Sequence, residues 1–146
     1  MATTKTEDKT PIITDTREQK PYKFEGSTES ALTTGDYSVE GFEDAVVIER
    51  KELTDFYNCL GNDRERFEAE LERLSSYDLP VVIVEADFTE ALKPEKHGSG
   101  LHPNSILGSI ASWTAKFGII FLFTGGRGLA QRMTKKVLEK YYKYES

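Results

Sequence analysis

Residues 35–51, GDYSVEGFEDAVVIERK, carry the pattern on which the fold turns. An apolar run from Ala45 to Ile48 passes directly into Glu49, Arg50 and Lys51, and a lone acid, Asp36, stands one turn upstream. Strand-forming residues on both sides of a segment with Gly41 at its centre predict a hairpin. Its strands run over residues 36–39 and 45–50, joined by a turn at 40–44. Side chains alternate along a strand, so Glu49 and Lys51 share one face and Arg50 takes the other. An acid and a lysine at the end of a buried strand cost solvation unless something offsets it. A metal ion does so: Mg²⁺ takes hard oxygen ligands, often one or two carboxylates with waters completing the octahedron. Asp36, on the adjoining strand, is the natural second carboxylate. Lys51 beside the ion is placed to orient a water or to steady charge on a phosphate. The bland alternative is an exposed strand end with a cross-strand ion pair of little energetic weight.

Outward from the hairpin, the chain reads as alternating elements. Residues 12–15 are a short strand ending in Asp15, and 16–34, with Pro21 and Gly26, are mainly loop with one turn of helix at most. Residues 53–76 form a helix, with Phe56, Leu60, Phe67, Leu71 and Leu74 on one stripe and a break or kink at Gly61. Residues 80–85 are a fully buried strand, and 93–104, with two glycines and two prolines, a surface loop. Ser105 caps a helix to about Lys116, residues 119–123 form another buried strand, and a Gly-rich turn opens a last helix bearing Leu129, Met133, Val137 and Tyr141. Antiparallel strands followed by strand–helix alternation predict an α/β fold, a mixed β-sheet with helices on both faces.

Composition sets limits on function. A chain of 146 residues with 38% hydrophobic and 30% charged residues suits one globular domain over 11–146, behind a polar, disordered tail at 1–10. No apolar run approaches the roughly 20 residues of a membrane span, and MATTKTEDKT lacks the apolar centre of a signal peptide. Cys59 is the only cysteine, which fits a reducing compartment, so the expectation is an intracellular, cytoplasmic protein, nuclear in a eukaryote. The net charge of −6 argues mildly against nucleic acid. Clustered acids are nonetheless what a metal-dependent nuclease requires, and from Arg127 onward bases outnumber acids. The Gly125–Gly128 turn has no Walker lysine, so no nucleotide cofactor is expected, and His97 and His102 read as loop histidines.

An acid followed by a strand ending Glu-x-Lys is the general layout of PD-(D/E)xK nucleases. The surroundings narrow it. Asp15-Thr-Arg-Glu18 with Gln19, Pro21 and Phe24, then Gly35-Asp36-Tyr37, then Glu49-Arg50-Lys51 with Asp55 four residues on, closely resemble the XPF-type nuclease domain. Asn62–Phe67 looks like that family's Arg-bearing segment, and the likeness runs from about residue 11 to 142, in the short form of stand-alone bacterial or phage members. It does not extend to the tandem helix-hairpin-helix module that many relatives carry. The resemblance implies a restriction-endonuclease-like fold and a Mg²⁺- or Mn²⁺-dependent DNA endonuclease acting on branched or flap DNA in repair or recombination, working as a homodimer.

It also implies roles for individual residues. Asp36 and Glu49 would be the principal metal ligands, with Asp15 a direct or water-mediated third and the Arg50 carbonyl a further donor. Lys51 would be base or electrostatic stabiliser. Arg17 and Glu18 would line the site, Arg17 either facing a phosphate or held in a surface ion pair. Arg50 would bridge to Asp55 or to the Asp15 strand and hold the site in shape, while Asp55 is either a site residue or a helix cap. Arg64 would reach DNA unless its acidic neighbours on the helix claim it. A non-catalytic nuclease-like module that binds DNA or a partner is the alternative reading.

Overall fold

In a computed structural model, which describes residues 9–146, six strands form one sheet. In chain order they are β1 (Ile12–Asp15), β2 (Thr28–Ser30), β3 (Tyr37–Val39), β4 (Val46–Lys51), β5 (Leu79–Val84) and β6 (Ile120–Phe123). Their spatial order is β2-β1-β3-β4-β5-β6. β3 pairs antiparallel with both β1 and β4, whereas β1–β2, β4–β5 and β5–β6 are parallel. The helices are α1 (Leu53–Leu60), α2 (Arg64–Leu74), the single turn α3 (Phe88–Ala91), α4 (Pro103–Phe117) and α5 (Arg127–Glu145).

Strand alternation sorts the sheet into two cores. Val47, Val82 and Val84 face α1, α2 and α4, packing with Phe56, Phe67, Leu71, Ile106 and Trp113. Their neighbours Val46, Ile48, Val81 and Ile83 face the other way, onto Ala130 and Leu138 of α5 and onto Tyr22 and Phe24 of the loop after β1. The sheet is thus mixed and covered by helices on both faces, as the sequence predicts. No described helix is long and apolar enough to cross a membrane.

Several elements differ from expectation. The helical stretch expected over 53–76, with a break or kink at Gly61, is broken there into two helices: at Gly61–Asp63 the chain turns, and the Asp63 amide reaches the Asn58 carbonyl. The loop at 16–34 contains no helix but supplies β2, an edge strand of three exposed polar residues with no apolar signature to find. Residues 93–104 carry a 3-10 turn, Pro94–His97, and α4 starts earlier than Ser105, with His102 as its cap, its ring accepting from the Asn104 amide. β6, expected to be buried, is half-exposed because it forms the sheet's outer edge. The tail expected at 1–10 falls, up to residue 8, outside the described residues.

Two glycines hold the hairpin's entry and turn. Gly35 adopts φ +87°, and a Cβ there would lie 2.1 Å from Val47 Cγ2. Gly41 (φ +91°) turns the chain between β3 and β4, where a side chain would meet open space but strained backbone.

Candidate active site

The register of β3 against β4 builds the site. Tyr37 pairs with Ile48, and the Asp36 amide donates to the Ile48 carbonyl (2.9 Å), so continuing that register sets Asp36 opposite Glu49. Directly opposed residues project from the same face. On the other side of β3, Thr14 pairs with Tyr37 and the Asp15 amide donates to the Asp36 carbonyl (2.8 Å), which sets Asp15 opposite Asp36. Three acids from three segments therefore stand in one row across the sheet, on the face covered elsewhere by α1 and α2.

The row is not used uniformly. Both oxygens of buried Asp15 are taken: Arg17 donates to them from its backbone amide and guanidinium (3.0–3.1 Å), and the Leu32 amide donates at 2.7 Å. Burial alone would raise its pKa, but these donors outweigh it and hold the carboxyl below the ordinary range. Asp36 and Glu49 instead open into a cleft of about 390 Å³ that also meets Arg17, Glu18, Lys51 and Asp55. Burial pushes Asp36 up to about 7, although the Arg50 amide donates to its Oδ2 at 2.7 Å. Glu49 is raised well above its ordinary value, first by burial and then by the charge of Asp36. Opposed like charges on a sheet are destabilising, and a cation between them reverses the sign.

The donor set fits a hard divalent ion. Two carboxylates facing one cleft are what Mg²⁺ or Mn²⁺ commonly takes, with waters filling the remaining positions. Among the described residues no three His, Cys, Asp or Glu side chains group as a larger metal cluster. Asp36 and Glu49 present their oxygens to the cleft, whereas the Asp15 oxygens are engaged by Arg17 and the Leu32 amide. Lys51 Nζ lies 3.2 Å from Glu49 Oε2 and over the Phe67 ring at 5.4 Å. Burial disfavours its charge, yet the acidic groups around it, Glu49 first and Glu70 among the others, together outweigh burial and raise its pKa.

Arg50 occupies the opposite face, with Ile48, and this fixes its partners. Its guanidinium binds Glu18 through two contacts (3.0 and 3.3 Å) and Glu85 at 3.3 Å, and lies 3.6 Å from Glu52. It makes no ion pair with Asp55; Glu18, three residues past β1, ties it to the chain that continues the Asp15 strand. Burial would raise the pKa of Glu18, but Arg50 keeps it below the ordinary range. Asp55 lies exposed in the first turn of α1 at the cleft edge, while Glu52 holds the cap position. Arg64 is turned away from the cleft: it donates to Ser109 Oγ at 2.8 Å, lies 3.6 Å from Glu68 and covers the Trp113 ring, joining α2 to α4.

Residues not singled out from the sequence complete the surroundings. Glu85, just beyond β5, anchors Arg50 and accepts from the Tyr22 hydroxyl, and Tyr22 stacks on Tyr37 at 5.4 Å. Its signal was present, since the apolar run of β5 ends in an acid just as that of β4 does. Glu70 on α2 acts electrostatically on Asp36, Glu49 and Lys51. Nothing in its local sequence marks it, because only the fold brings α2 beside β4.

Comparison with known proteins identifies the family. The ERCC4 domain matches residues 14–137. The chain belongs to the ERCC4 domain family. The resemblance to XPF-type nuclease domains drawn from the motifs therefore holds, and so does the expected fold. Among solved structures, this ERCC4 domain is similar to XPF from Aeropyrum pernix, at 21% identity and TM-score 0.68, over 92% of this chain and 64% of that one. It is also similar to the same organism's XPF in complex with DNA, at 19% identity and TM-score 0.69, over 93% of this chain and 66% of that one. The ERCC4 domain here thus spans just under two thirds of those solved chains. No curated protein matches it.

Proposed function

We propose that this ERCC4 domain is a metal-dependent endonuclease that hydrolyses phosphodiester bonds in DNA. The observation that carries the reading is the opposition of Asp36 to Glu49 in one open cleft, with Lys51 charged beside them. Asp36 and Glu49 would hold a Mg²⁺ or Mn²⁺ ion. When bound, such an ion supplies the positive charge that polarises the phosphate and its attacking water. The chain's own residues do the rest. Lys51 donates toward the non-bridging oxygens and offsets the charge that develops on them. Arg50, clamped by Glu18 and Glu85, keeps its backbone amide on Asp36 and so orients that carboxylate. Arg17 places a second cation at the cleft mouth.

Branched or flap DNA is the substrate class proposed, in repair or recombination, with the protein acting inside the cell. A homodimer is proposed as well, formed across the apolar groove between β6 and α5, where Ile120, Leu122, Met133 and Val137 line a space of about 470 Å³. The solved relative with DNA bound supports a nucleic-acid partner.

A panel of single-stranded, duplex, flap and branched DNA with Mg²⁺ or Mn²⁺ tests the reading. Nicking by the wild-type protein that Asp36→Asn and Glu49→Gln each abolish is the expected result. Binding without nicking under either metal would favour a non-catalytic DNA-binding module instead.

A further inference from the structure

A second cavity adjoins the cleft on the α2 side, and Lys51 is the wall they share. It encloses about 220 Å³, with Phe67 contributing an apolar surface. Its charged lining comes almost entirely from one face of α2: Arg66, Glu70 and Arg73 follow at spacings of four and three, with Asp63 one turn earlier. The two cavities differ in charge. The cleft sets five acids against four cations, whereas this cavity sets Lys51, Arg66 and Arg73 against Asp63 and Glu70. The first suits a metal ion; the second suits an anion.

The arginines are available. Arg66 Nη2 contacts Asp63 Oδ2 at 3.1 Å, but its side chain is 82% exposed, and exposed pairs of this kind hold a side chain only weakly. Arg73 is exposed and has no ion-pair partner among the described residues. A phosphate offers two oxygens to a guanidinium fork in a stronger, charge-assisted pairing. Glu70 is only half-exposed, and its charge acts on Lys51, Glu49 and Asp36, so it closes the inner end and leaves the arginines as the rim.

We propose that this cavity is a phosphate subsite: Arg66 and Arg73 take a DNA backbone phosphate flanking the scissile one at the metal site that Asp36 and Glu49 would form. The subsite rests on the nuclease reading for the identity of its neighbour, but its contact with DNA can be read without cleavage. Phosphate contacts of this type position a strand and carry no base preference.

The test is the salt dependence of DNA binding, measured with a short duplex and a short single strand in Ca²⁺ buffer. Arg66→Gln/Arg73→Gln should weaken binding about tenfold near physiological salt and flatten the slope of log affinity against log salt by about 0.9 per lost duplex contact, or about 0.7 on the single strand. Arg66→Lys/Arg73→Lys, which keeps the charge, should restore the slope. Arg132→Gln, an exposed arginine on α5, should change the slope less than the double variant does. Equal slopes in wild type and the double glutamine variant overturn the subsite, as does a change no larger than that of Arg132→Gln. Wild-type protein that nicks no DNA in Mg²⁺ or Mn²⁺ overturns the nuclease reading alone if the slope still falls in the double variant. A wild type that binds neither probe overturns both.

Discussion

At the scale of single residues, the site is organised by what each carboxylate is denied. Asp15 is saturated with donors and settled, while Asp36 and Glu49 face each other with little but Lys51 and one backbone amide between them. An acid whose folded pKa is raised binds its proton more tightly in the folded state. Stability is therefore lost as pH rises through the folded value, about 7 for Asp36. Asp36→Asn should accordingly raise the stability of metal-free protein at pH 8 by on the order of 1 kcal/mol. It should also abolish the increase in Tm that Mn²⁺ gives the wild type. An equal Mn²⁺ response in the two proteins would remove Asp36 from the metal site. Glu18 carries the opposite sign. Held low by Arg50, it contributes stability above about pH 4.5 that disappears as pH falls through its lower folded value. Glu18→Gln should cost about 1–3 kcal/mol at pH 7 and show a flatter acid limb in urea titrations between pH 3 and 6.

At the scale of elements, the β3–β4 hairpin is the unit that makes the site, and Gly35 is its most constrained point. Gly35→Ala combines a positive φ with a Cβ placed on Val47 Cγ2, so a loss of about 2–4 kcal/mol is expected in chemical denaturation. A loss below 0.5 kcal/mol would show that β4 shifts to accommodate the methyl group. This hairpin was also the most legible part of the sequence, because a period of two in Val46–Lys51 directly gives which side chains share a face. The other strands and helices with apolar signatures are readable as elements, though not in every burial: β6 is half-exposed at the sheet's edge. β2 is not readable, since its three polar residues carry no periodicity and its strand form comes entirely from pairing with β1. Gly61 marks the break of 53–76 in the sequence, but the stripe of Phe56, Leu60, Phe67 and Leu71 stays in phase across it and so does not separate a kink from two helices. For the site, Asp36, Glu49 and Lys51 were visible as a pattern. The partners of Arg50 were not, because Glu85 reaches it only through the parallel pairing of β4 with β5.

At the scale of the whole molecule, the two sides of the sheet have separate tasks. The acids open on the α1–α2 side, while the other side carries α5 and, beside β6, a groove with Met133 and Tyr144 exposed. An apolar surface of this kind at a sheet edge is where the proposed homodimer would form. Met133→Glu is expected to shift the protein to a monomer in light scattering at micromolar concentration, with its Tm in dilute solution unchanged. A wild type already monomeric under those conditions would overturn the homodimer. Arg127 ties the loop after β1 to α5: from the start of that helix it donates to the carbonyls of Lys20 and Pro21 and lies over the Tyr22 ring.

Because Asp36 and Glu49 meet through a ladder that counts in twos, the chemistry of the cleft hangs on parity. One residue inserted among Val46, Val47 and Ile48 would exchange inside for outside along the rest of β4. Arg50 would then swing toward the would-be metal, and Glu49 toward the arginine's old partners. Lengthening the connection at residues 40–44, by contrast, leaves that count untouched. Natural variation in such proteins should therefore accumulate in the bend and almost never in the three residues that follow it.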